Sequence, residues 1–87
     1  MFVRIGYLSH RTATPSMDSY VMESRPGDTF EEVQQRLTEA GFRRTGEFDD
    51  PHVWIMPAAI MNIARCDKTG YTEHERKELS RNIRVVA

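Results

Sequence analysis

Residues 27 to 57, GDTFEEVQQRLTEAGFRRTGEFDDPHVWIMP, decide the fold of this chain. Phe30, Val33, Leu37 and Ala40 recur at steps of three and four, which draws one apolar stripe down a helix, while Glu31, Gln34, Gln35 and Glu39 face water. Asp28 or Thr29 is placed to cap the start, with Glu31 or Glu32 completing a capping box and favouring the positive end of the helix dipole. Gly41 falls where a left-handed exit residue is needed, and Phe42 follows it to close back on Leu37 in a Schellman ending. The predicted helix is therefore Phe30 to Ala40. After it the period drops to two. Phe42, Arg44 and Phe48 share one side of a strand and Arg43, Thr45 and Glu47 the other, DDP makes a turn, and HVWIM returns with His52, Trp54 and Met56 opposite Val53 and Ile55.

Working outward, FVRIGYL at 2 to 8 sets Val3, Ile5 and Tyr7 on one face of a first strand. SHRTATPSMD is polar, contains Pro15 and reads as a long loop, and SYVMES at 19 to 24 returns antiparallel before RPGD breaks the chain. Residues 57 to 67, PAAIMNIARCD, allow either a short helix opened by Pro57, carrying Ile60, Ile63 and Ala64 inward, or an extended segment after a kink; we take the extended form. Thr72 and Glu75 form a second capping box ahead of a helix from about Glu73 to Ile83, which offers a narrow stripe of Leu79 and Ile83. The expected fold is a single α+β domain over residues 1 to 87. Its mainly antiparallel sheet has four to five strands in the order ββαββ(β)α, with one face covered by helices. The expected core is Val3, Ile5, Tyr7, Val21, Phe30, Val33, Leu37, Phe42, Phe48, Val53, Ile55, Leu79 and Ile83.

The composition bounds the chemistry. With 39% hydrophobic and 29% charged residues the chain is globular rather than disordered. Twelve basic and 13 acidic residues leave a net charge of −1, against the basic excess of most nucleic-acid-binding domains. Cys66 is the one cysteine, so there is no internal disulfide, and no zinc-ligand spacing surrounds it. The N-terminal MFVRIGYLSHRT has no apolar run long enough for a signal peptide or a membrane span, which points to the cytoplasm, with no membrane partner, metal or cofactor expected.

Three groups of residues are candidates for function. His52 follows an acidic turn, DDPH, and a histidine beside a carboxylate is the minimum for acid–base work; turn and strand roles explain the same residues. His10, Cys66 and the serines form no recognisable nucleophilic set. His74, Lys77, Arg81 and Arg84 share one face of the last helix and form a stripe able to hold phosphates, although Glu73 stands four residues before Lys77 and is placed to neutralise it. The sequence leaves two placements open for Trp54: a core anchor, or, if Val53 and Ile55 point to the helices, an exposed aromatic beside Met56 that marks an interface.

The order helix, GF, strand, turn, histidine, strand over residues 28 to 56 resembles the front half of small bacterial mRNA-interferase toxins with a double-stranded-RNA-binding-like fold. The resemblance implies RNA as a partner and His52, by position, as the cleaving histidine. Here Asp50-Pro51-His52 stands in place of that family's Gly-Ser-His turn, the charge is not basic, and a hairpin precedes the helix. The residues themselves favour a different expectation: a non-enzymatic interaction protein that binds and occludes another macromolecule, as small phage or mobile-element inhibitors do, or that self-associates. Its contacts would be Trp54, Met56, Arg43 and Arg44.

Overall fold

A computed structural model describes residues 1–9, 14–47 and 50–86, and side chains outside 45–52 and 82–86. Strand β1, Phe2–Ser9, runs antiparallel to β2, Ser16–Glu23, so the hairpin continues to Ser9 opposite Ser16. The connection between them is shorter than the loop expected at 9 to 18. Helix α1, Phe30–Ala40, has the predicted bounds; β3, Phe42–Glu47, and β4, Asp50–Ile55, follow it. Pro57–Ala59 is a single 3-10 turn opened by its proline, after which β5, Ile60–Cys66, is extended as taken above, and helix α2, Glu73–Val86, ends the chain. The coarse expectation holds: a small α+β domain with mainly antiparallel pairing and two helices. The strands form two ladders, a three-stranded sheet in the order β2-β1-β5 and a two-stranded β3-β4 sheet.

β1 is central, and its alternate residues Val3, Ile5 and Tyr7 are fully buried. Each such side chain contributes on the order of 1.5–3 kcal/mol through apolar area taken from water. Val33 and Leu37 of α1, Phe42 of β3 and Ile55 of β4 close over them, with Tyr20, Met22, Phe30, Val53, Ala59, Ile60 and Ile63 packed around. The β3-β4 ladder and α1 thus lie together on one face of the main sheet. Phe42 ties the layers, edge-on to Tyr7 at 5.7 Å and stacked on Tyr20 at 5.6 Å between ring centres.

Two assignments to the core are corrected. Val21 stands opposite Arg4, while Tyr20 stands opposite Ile5 and Met22 opposite Val3. Cross-strand neighbours share a face, so Tyr20 and Met22 point inward and Val21 does not. Leu79 is 39% exposed and belongs to no part of the buried cluster. The reason lies in how α2 is attached: Arg4, on the opposite face of β1, donates to the Gly70 carbonyl at 3.0 Å and to Glu75 Oε1 at 2.7 Å, which fastens the opening turn of α2. The helices therefore divide between the two sheet faces instead of covering one. Phe48 and the side chain of Ile83 lie outside the described residues.

Local chemistry sets the helix ends. Thr29 caps α1, its Oγ1 accepting from the Glu32 N–H at 3.2 Å, while Asp28 takes Arg36 and the Arg25 N–H instead. Thr72 and Glu75 make the full reciprocal box on α2, at 2.8 and 3.2 Å. At the exit of α1, Gly41 has φ 73° and ψ −157°, outside the left-handed helical well and open essentially to glycine alone, and its N–H donates to Leu37 O at 2.9 Å. A Cβ built on Gly41 falls 2.0 Å from the Ile55 carbonyl oxygen. Gly27, at φ 87°, has nothing within 4 Å of such an atom. Gly41→Ala should therefore lower unfolding free energy by about 3 to 5 kcal/mol, strain plus clash. Gly27→Ala should cost about 1 kcal/mol, strain alone. Urea denaturation of the two variants compares them.

The turn into α2 is held by one carboxylate. Asp67 Oδ1 accepts from the Thr69 N–H, the Thr69 hydroxyl and the Tyr71 N–H at 2.9, 2.6 and 3.1 Å, and Arg76 donates to Oδ2. Arg76 first, then Thr69, hold its carboxyl far below the ordinary 3.8. A depressed folded value means that the charged form stabilises the fold above the unfolded value, and that this contribution begins to shrink as pH falls below it and is lost fully only below the still lower folded value. Thermal melts of wild type and Asp67→Asn should differ most at neutral pH and draw together below about pH 4. A gap that stays constant down to acid pH would remove Asp67 from the acid response.

Candidate functional site

The β3-β4 ladder sorts its residues into two sets. Phe42 pairs with Ile55, Arg43 with Trp54 and Arg44 with Val53. Because alternate residues take opposite faces, Phe42, Arg44, Val53 and Ile55 turn toward the main sheet and Arg43, Trp54 and Met56 turn away. Ile55 is buried and Val53 half-buried, whereas Trp54 is 54% and Met56 61% exposed. The placement of Trp54 left open by the sequence is thus resolved outward. The ring is oriented, because its Nε1–H donates to the Ala40 carbonyl at 2.9 Å, at the C-terminal end of α1. That bond satisfies the one polar group of the indole and leaves its apolar surface toward solvent.

Arg44, grouped with Arg43 in the sequence reading, is separated from it by the pleat. Its side chain is 11% exposed, donates to Asp18 Oδ2 at 3.2 Å, and stands 6.0 Å from the centre of the Tyr7 ring. Tyr7 donates its hydroxyl to the same Asp18 oxygen at 3.2 Å. This Tyr7–Asp18–Arg44 group joins β1, β2 and β3 and is structural, so Arg44 leaves the outer face. Its inward turn was legible in the alternation that placed Arg44 with Phe42. Asp18 was missed, lying in a stretch read as loop, and its role depends on the β1-β2 register that brings it opposite Tyr7.

The basic stripe on α2 is present but engaged. His74, Lys77 and Arg81 are exposed, with Lys77 at 3.4 Å from Glu73 and Arg81 at 3.2 Å from Glu78. Such surface pairs contribute little to stability, and each sets a carboxylate beside one base of the stripe. The side chains of Arg84 and His52, and all of His10, lie outside the described residues. Cys66 is half-buried, and desolvation pushes its thiol above its usual value, away from the thiolate that nucleophilic chemistry requires. Among the described residues no group of three or more His, Cys, Asp or Glu side chains is arranged to hold a metal ion, and no helix is long and apolar enough to cross a membrane.

No family model, curated protein or solved structure matches the chain, so the functional reading rests on this geometry. Trp54 is the only tryptophan, and its fluorescence reports the outer face alone. Acrylamide should quench it at least about half as efficiently in the native protein as in urea, because an indole with its surface in water stays open to collision. Near-complete protection in the native state would contradict the outward placement.

Proposed function

We propose that this chain is a small non-enzymatic interaction protein that docks on another protein through Arg43, Trp54 and Met56 and acts by occluding it. The observation that carries the reading is the outward, hydrogen-bonded indole of Trp54 beside Met56. Tryptophan, arginine and methionine are the residue types enriched where protein interfaces concentrate their energy. A partner that covers these two large apolar side chains recovers their burial free energy.

The exposed surface is large for the mass. A folded chain of 10.1 kDa is expected to expose about 5,300 Å², whereas this one exposes 6542 Å². The radius of gyration, 14.9 Å against about 12 Å for a compact domain of this length, agrees with an open, flattened shape.

The test is affinity capture from host extract with tagged wild type, Trp54→Ala and Met56→Ala proteins, followed by reconstitution with the purified partner. Truncating exposed side chains should leave the fold intact, checked by circular dichroism. The expected result is one protein bound by wild type and weakened at least tenfold by Trp54→Ala, a loss of about 1.4 kcal/mol or more. Capture that is indifferent to Trp54, or salt-sensitive RNA binding in place of protein binding, overturns the reading.

A further inference from the structure

We infer that the occupant of the Trp54 face is an acidic protein segment, which sets a carboxylate on Arg43 and apolar side chains on the indole and Met56. The inference rests on the docking reading above and names its chemistry. Arg43 stands directly across the ladder from Trp54 and is exposed. Cross-strand neighbours on one face have their β carbons about 5 Å apart. A partner that covers the indole therefore reaches the guanidinium as well.

That guanidinium has no partner of its own among the described residues. Arg4, Arg36 and Arg44 each meet a carboxylate, and Arg65 lies over the Phe30 ring, whereas no ion pair, hydrogen bond or ring contact engages Arg43. The indole opposite does not serve it, because its Nε1–H holds the ring to the Ala40 carbonyl at 2.9 Å. Water alone solvates this charge in the free protein. Docking removes that water, and a cation covered without an anion opposes binding, so the occupant brings the anion. A carboxylate fits the planar fork of arginine through two parallel hydrogen bonds. Beside it, the indole has spent its N–H and Met56 is a thioether, so the rest of the contact is apolar. Protein is the favoured source of the anion, since Lys77 and Arg81 of the α2 stripe already have carboxylates beside them and a strand of phosphates finds little more to bind.

The experiment titrates the full chain with the peptide acetyl-Gly-Glu-Leu-Glu-Leu-Gly-amide and reads Trp54 fluorescence. The Lys-for-Glu peptide and a uridine hexanucleotide are the controls, and circular dichroism checks that each variant keeps the wild-type fold. A saturable change with the acidic peptide alone is expected, weakened at least about fivefold by Arg43→Ala and weakened by raising salt from about 0.05 to about 0.5 M. Arg43→Glu should transfer the preference to the Lys-containing peptide. No saturable change with the acidic peptide, an equal response to the Lys-containing one, tighter binding of the RNA, or a response unaltered by Arg43→Ala overturns the inference. If this titration fails while capture of a partner still depends on Trp54, the docking reading stands and only its proposed chemistry is lost.

Discussion

The close approach of Gly41 to the Ile55 carbonyl governs the outward half of this structure. The helix must stop, and the chain must double back against it with no room for a side chain, so Phe42 enters the ladder directly opposite Ile55. Once that pair is inside, the two-residue period of the strands leaves no choice for the rest. Arg44 and Val53 turn in; Arg43, Trp54 and Met56 turn out. A slip of one residue would put the indole in the core and Ile55 in water, exchanging the faces completely.

The inner half obeys a second constraint. β1 is hydrogen-bonded on both sides, and its three fully buried side chains form the floor on which α1 and the β3-β4 ladder rest. A two-stranded ladder is marginal by itself, and this one is held by Phe42 against Tyr7 and Tyr20 and by Arg44 on Asp18. The same carboxylate takes the Tyr7 hydroxyl, so one anion on β2 fixes both the floor and the hairpin above it. α2 stands apart from this arrangement, fastened by the first-turn contacts of Glu75 and Arg76. That attachment leaves Leu79 exposed and helps to explain a surface larger than a chain of this mass ordinarily shows.

The candidate surface follows from both constraints. The end of a helix, the outer face of a short ladder and an oriented indole meet without a cavity and without an assembled set of nucleophile, base and orienting group among the described residues. The docking proposal rests on this arrangement, in which a partner would gain energy by covering apolar groups. On α2, Lys77 meets Glu73 as the sequence indicated, and Arg81 meets Glu78, a pair the sequence reading did not name.

What the sequence determined by itself is what nearest neighbours along the chain can encode. The bounds of α1, an N-cap at Asp28 or Thr29, a glycine at its exit and the capping box of Thr72 and Glu75 depend on residues within four positions of one another. The two sides of β4 were legible for the same reason, since alternation is a local property. Which side would face water was not, nor was the phase of β2, where Tyr20 and Met22 displaced Val21 from the interior. The inward pairing of Arg44 with Asp18, 26 residues away, and the capture of α2 by Arg4, 71 residues from Glu75, also belong to tertiary structure. Burial is a property of what packs against a side chain, and those partners are brought together only when β1 joins β2 and β5 and the ladder folds over them.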